Sequence, residues 1–259
     1  MFYLLKCNYK KKRGLFSRLF SSGIVVTGHR TNSVNYCIAE LSCTKGIEWN
    51  KIVSVVGKNE KIVLPQGVTI PENIPLQSYP TENAVGQLIA QGALQVIEKA
   101  SQQNHTLSVM LIDKSGKYTH LLTPLMRCAQ TVTAVTASKD QYEQSAQCLI
   151  DTLGAFPVIT DNAQNCSVTS VIIAPDGISG CGTLPLPAMI FAPRGWDFIS
   201  VENENVNLGS FGQLQGYNKL QLAAAILDSK DATGQLPYAE TMLVRGKNVP
   251  LDELAQMLI

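Results

Sequence analysis

Three short polar segments, each directly following an apolar run, hold the residues whose types and spacing could do chemistry. Asp113-Lys-Ser-Gly-Lys117 follows Leu107–Ile112, Ser138-Lys139 follows Thr131–Ala137, and Asp176-Gly-Ile-Ser-Gly-Cys-Gly182 follows Val168–Ala174. A glycine lets backbone come close to a phosphate, hydroxyls and backbone N–H groups donate to it, and a lysine neutralises it. On that chemistry Ser115, Gly116 and Lys117 are candidates for a pyrophosphate, Ser138 and Lys139 for a 2′-phosphate, and Gly177, Ser179 and Gly180 for the far end of the same ligand. Lys114-Ser-Gly-Lys117 is not a P-loop, because the earlier glycine and its spacing are missing. Asp113 places a carboxylate where two phosphates would lie, a repulsion that Lys114 and Lys117 could offset.

Covalent and metal chemistry find less. Cys181 has no visible neighbour that would lower its pKa, and no histidine follows to act as its base. The three histidines, His29, His105 and His120, stand at no ligand spacing with one another or with a cysteine, so no metal site is expected and catalytic residues stay unassigned.

The elements that would position these segments alternate. Leu107–Ile112 is a short apolar strand, and Leu121, Leu122, Leu125 and Met126 form one helical stripe after it. Thr131–Ala137 is rich in β-branched residues and reads as a second strand. Ser138 stands at a helix N-cap position, Tyr142, Ala146, Leu149 and Leu153 follow on one face, and Gly154 can close the helix in a left-handed conformation. Pro157–Asp161 and Val168–Ala174 are a third and a fourth strand, Ala188–Phe191 and Asp197–Val201 a fifth and a sixth. Such alternation implies crossovers and a mainly parallel sheet with helices on both faces.

The run from Val109 to Pro175 resembles the NAD(P)-binding domain of the shikimate dehydrogenase and glutamyl-tRNA reductase type. The resemblance implies a Rossmann-like fold and NADP as the cofactor, the absence of a ribose-binding acid after the second strand suiting a 2′-phosphate. This sequence departs from the family pattern where G-x-G-x-x-G is required, since the turn offers one glycine.

Elsewhere the pattern changes. From Gly23 to Pro65 the chain reads as a small antiparallel β region: Ile24–Thr27, Val34–Cys43, Trp49–Val56 and Lys61–Leu64, joined by short turns. Pro65, Pro71, Pro75 and Pro80 then mark a connection that cannot be regular helix. A helix starts at Thr81-Glu-Asn83, so two parts are expected, residues 1–80 and 81–259. Tyr217–Leu227 and Leu251–Leu258 read as helices, while residues 235–245 carry no clear pattern. Residues 14–20 could form a short amphipathic helix, docked on their own domain or lying on a membrane surface.

Composition sets outer limits. Of 259 residues 45% are hydrophobic and 16% charged, which is globular, and no run of about 18 uncharged apolar residues exists to span a membrane. A net charge of +1 conceals +8 in residues 1–61 (11 Lys and Arg against 3 Asp and Glu) and −7 in the rest (10 against 17). That asymmetry suits an intramolecular or subunit contact, and less well an anionic partner such as nucleic acid or a membrane surface. Seven scattered cysteines without a C-x-x-C pair suit a reducing cytoplasm. The expected function is a non-catalytic or small-molecule-sensing module on a degenerate nucleotide fold, assembling as a homo-oligomer through its β region. The alternative is an NADP-dependent oxidoreductase acting on a small carbonyl compound.

Overall fold

A computed structural model describes residues 1–9, 23–43, 46–165, 169–181, 183–195, 197–229 and 232–259. The basic cluster at 10–13, the amphipathic segment at 14–20, Val168 and Gly182 lie outside them. In chain order the strands are β1 (Phe2–Tyr9), β2 (Ile24–Thr31), β3 (Val34–Cys43), β4 (Lys61–Val63), β5 (Gln77–Ser78), β6 (Ser108–Ile112), β7 (Thr131–Val135), β8 (Val158–Thr160), β9 (Val171–Ile173), β10 (Met189–Phe191), β11 (Ile199–Ser200), β12 (Val206–Asn207), β13 (Tyr238–Ala239), β14 (Thr241–Val244) and β15 (Lys247–Pro250). The helices are α1 (Trp49–Val56), α2 (Glu82–Ser101), α3 (Leu122–Cys128), α4 (Lys139–Leu153), α5 (Lys219–Leu227) and α6 (Leu251–Gln256). Among the described residues no helix is long and apolar enough to cross a membrane.

The protein is a mixed α/β fold in two compact units, residues 1–84 with 207–237 and residues 85–206 with 238–259. The second holds an eight-stranded sheet in the order β15-β14-β11-β10-β9-β6-β7-β8. Read from β8, its first six strands run third, second, first, fourth, fifth and sixth in sequence order, the doubly wound Rossmann-like order. β6 pairs in parallel with both β7 and β9, as the alternation of strand and helix implies, and antiparallel β14 and β15 complete one edge. Val109, Met110, Leu111 and Ile112 are all buried, so this central strand is covered on both faces. Gly154 ends α4 at φ +64, in the left-handed conformation its position suggests. Ser138 occupies the N-cap of α4 but makes no side-chain cap; its own N–H donates to Thr136 Oγ1 instead.

The first unit is a five-stranded sheet in the order β2-β3-β1-β4-β5. Its antiparallel part is the β2–β3 hairpin; β1 pairs in parallel with β3 and β4, and β4 with β5. Trp49–Val56 forms helix α1, where the sequence suggests a strand, so β3, α1 and β4 make a crossover and 57–60 is not a hairpin turn; residues 44 and 45 lie outside the described residues. The reason is spacing. Ile52 and Val56 stand four residues apart and both are buried, so a helical stripe, once packed against Leu41 and Leu64, overrides the β preference of its valines. On the sheet, the His29 ring stacks on Tyr36 at 5.5 Å and Tyr36 on Phe2 at 5.8 Å, because the register sets these residues directly opposite one another.

Candidate functional site

Between β6 and β9 the strand order reverses, and in open α/β sheets ligands bind at the carboxyl ends of strands at that point. The segments emerging there are Asp113–Tyr118 after β6 and Ala174–Cys181 after β9.

Asp113 is 1% exposed at the end of a buried strand, so its carboxylate must find donors within the fold. It finds them in its own turn. Oδ1 accepts the N–H of Gly116 at 2.9 Å and of Lys117 at 3.2 Å, and Oδ2 accepts the N–H of Tyr118 at 2.7 Å and the Tyr142 hydroxyl of α4 at 2.8 Å. Three successive backbone donors converging on one anion is the arrangement by which such turns cradle phosphate. Here the anion is part of the chain.

Gly116 has φ +77, and a Cβ there would lie 2.9 Å from Ser138 Cβ and closer still to Gln141 Oε1. Its missing side chain therefore admits the first turn of α4. Asp176, after β9, completes the cluster: its Oδ2 lies 3.2 Å from Ser115 Oγ and 3.7 Å from Lys117 Nζ, and its Oδ1 accepts from the Tyr118 hydroxyl at 3.4 Å. Ser115 Oγ is also 3.2 Å from Asp113 Oδ1, so one hydroxyl bridges the two carboxylates. Lys114 Nζ donates to the Ser179 carbonyl, tying one segment to the other.

The structure thus brings Ser115, Gly116, Lys117, Ser138 and Ser179 around one crevice, with Gly180 beside Lys114 Nζ. Gly177 has φ +93 and donates its N–H to the Ala174 carbonyl at 2.9 Å, closing a tight turn after β9. Lys139 pairs with Asp161, just after β8, at 3.0 Å, and the Lys139 ammonium holds the Asp161 carboxyl below the usual carboxylate range. In the first unit a separate cleft of about 420 Å³ is lined by Leu64, Ile70, Leu76, Gln77 and Gln221, and by none of the candidate ligand-binding residues.

Sequence reasoning missed Tyr142, which it read as an apolar position on α4. The available signal was that a buried tyrosine hydroxyl needs a partner, and a buried acid sits at the end of the neighbouring strand. Burial, then the Asp113 carboxylate, pushes the Tyr142 phenol far up; burial and Asp176 do the same to Tyr118. A phenol whose folded pKa is raised favours the native state fully below its unfolded value, about 10, and loses that contribution as pH rises toward the folded value. Stability is therefore expected to fall above about pH 10, and Tyr142→Phe should flatten that fall while costing about 1 kcal/mol at neutral pH. Urea midpoints measured from pH 7 upward check both.

No protein family and no curated protein matches this chain.

Proposed function

We propose that the protein is a non-catalytic module on a Rossmann-like fold, its phosphate turn filled by its own Asp113 carboxylate, acting as an assembly or small-molecule-sensing element. One observation carries this reading: the N–H groups of Gly116, Lys117 and Tyr118, the donors a pyrophosphate would need, all converge on Asp113. A phosphate in the usual pose would have to displace a buried carboxylate or lie against it, at a cost in repulsion and in lost hydrogen bonds. The groups facing the crevice above it, Lys114, Ser115, Lys117, Asp176 and Ser179, carry both signs of charge and suit a small polar zwitterionic ligand better than a polyanion. Free thiols at Cys7, Cys37, Cys43, Cys128, Cys148 and Cys181 favour a reducing compartment, the cytoplasm. The NADP-dependent oxidoreductase reading would need Lys139 to exchange its exposed ion pair with Asp161 for the 2′-phosphate.

Thermal unfolding in the presence of NADPH, NADH and ATP tests the reading. No stabilisation is expected from any of them. A ligand at 100 times its Kd stabilises by about 2.7 kcal/mol, so a clear upward shift with NADPH, together with turnover of a carbonyl compound, would replace this proposal by the oxidoreductase.

A further inference from the structure

β2 is eight residues long and, among the described residues, ends its sheet, and six of its residues, Val25 to Arg30, are exposed on whichever face they lie. Natural edge strands are blunted by proline, by shortness, by a bulge or by several charged side chains, and β2 has no proline, is eight residues long and carries a single charged side chain, Arg30. Its outward hydrogen-bonding row follows from the hairpin. Asn32 and Ser33, both at positive φ, form a two-residue loop that makes Thr31 and Val34 a hydrogen-bonded pair. Alternation along an antiparallel ladder then turns the backbone N–H and C=O of Val25, Thr27 and His29 toward β3, and those of Ile24, Val26, Gly28 and Arg30 toward the free edge.

Gly28 stands in the middle of that row. Its φ is not positive, and a Cβ added to it would meet nothing within 4 Å, so neither backbone conformation nor packing inside the chain requires a glycine there. A glycine inside a strand weakens it and often marks a close approach by another backbone. The edge is also held in place: the Thr233 N–H donates to the Asn32 carbonyl at 3.0 Å, and the His29 ring stacks on Tyr36.

We propose that the free edge of β2 pairs with the β2 edge of a second copy of this chain, antiparallel, about a two-fold axis through Gly28. This rests on the assembly half of the proposed function and is independent of the state of the crevice. In this register Gly28 faces Gly28 of the second copy and Val26 faces its Arg30, giving about six backbone hydrogen bonds. Thr27 faces its His29, so the one fully charged side chain of the strand, Arg30, meets valine and no like charge. The exposed Val25 and Val26 become flanked by a second strand, and the two five-stranded sheets become one. An isologous two-fold contact needs such a self-complementary row.

Sedimentation velocity of the full chain over a concentration series, with Gly28→Pro and Gly28→Cys, tests this. The unaltered protein is expected to dimerise. Gly28→Pro removes two donors from the central pair and should raise the dissociation constant about 30-fold. Gly28→Cys, at a position with open space around it, should form a covalent dimer when oxidised glutathione takes up the two thiol protons and electrons. Hydrogen-bonded Cα pairs lie about 5.5 Å apart, within disulfide reach. Thr27→Cys, offset from its own copy across the axis, should lag behind it. A monomeric unaltered protein overturns both this proposal and the assembly reading. A dimer unmoved by Gly28→Pro, with no covalent dimer from Gly28→Cys beyond that of the unaltered protein, overturns the edge alone. Faster cross-linking of Thr27→Cys overturns the register.

Discussion

Replacing Asp113 by alanine is expected to remove about 4 kcal/mol of unfolding free energy, a large share of what a domain of this size possesses. The loss has two sources. Three backbone N–H groups and the Tyr142 hydroxyl lose their common acceptor; those of Gly116, Tyr118 and Tyr142 are buried, and each buried donor left unmade costs about 1 kcal/mol or more. The turn also loses what fixes its geometry, and with it the contacts of Ser115 and Tyr118 to Asp176. Asparagine keeps one acceptor oxygen but turns an NH₂ group toward other donors, so Asp113→Asn should fall between, at about 2 kcal/mol. Urea denaturation at neutral pH separates the three proteins. A loss under about 1 kcal/mol for alanine would mean that water satisfies the turn in place of the carboxylate.

Gly86→Ala is expected to reverse the usual sign for its kind of substitution. In a helix interior, exchanging glycine for alanine ordinarily gains about 1 kcal/mol. Here α2 passes so close to the loop after β9 that a Cβ at residue 86 would lie 3.0 Å from the Pro175 carbonyl oxygen and nearer still to the Tyr118 hydroxyl. That hydroxyl holds Asp176, so the methyl group cannot be accommodated by swinging a free side chain aside. A net loss of about 2 kcal/mol should result, read as a lower urea midpoint at unchanged slope. A gain would show that the floor of the crevice yields easily.

The alternation of strands and helices around the crevice was legible because the strands of the parallel sheet are short apolar blocks, and the helices between them keep one apolar face. Thr131–Val135 and Lys139–Leu153 fall where their residues suggest. Trp49–Val56 misleads because valine and isoleucine favour strands by local preference, while burial of Ile52 and Val56 on one face decides for helix. The pairing of β1 with β3 and the attachment of residues 207–237 to the first unit depend on long-range register, which no local pattern encodes. At the crevice, the presence of Asp113, Ser115 and Gly116 was readable but their partners were not. A carboxylate two residues from a hydroxyl looks like a ligand site or a folded-in cap equally well, until the direction of three amides is known.

A carboxylate attached to its own binding loop competes intramolecularly, at an effective concentration set by the chain and not by what is dissolved around it. The loop after β6 is therefore saturated from the moment the chain folds, and rises and falls in cellular nucleotide or phosphate levels should leave its occupancy unchanged. A dissolved phosphate would have to find donors other than the Gly116, Lys117 and Tyr118 amides, which Asp113 already holds.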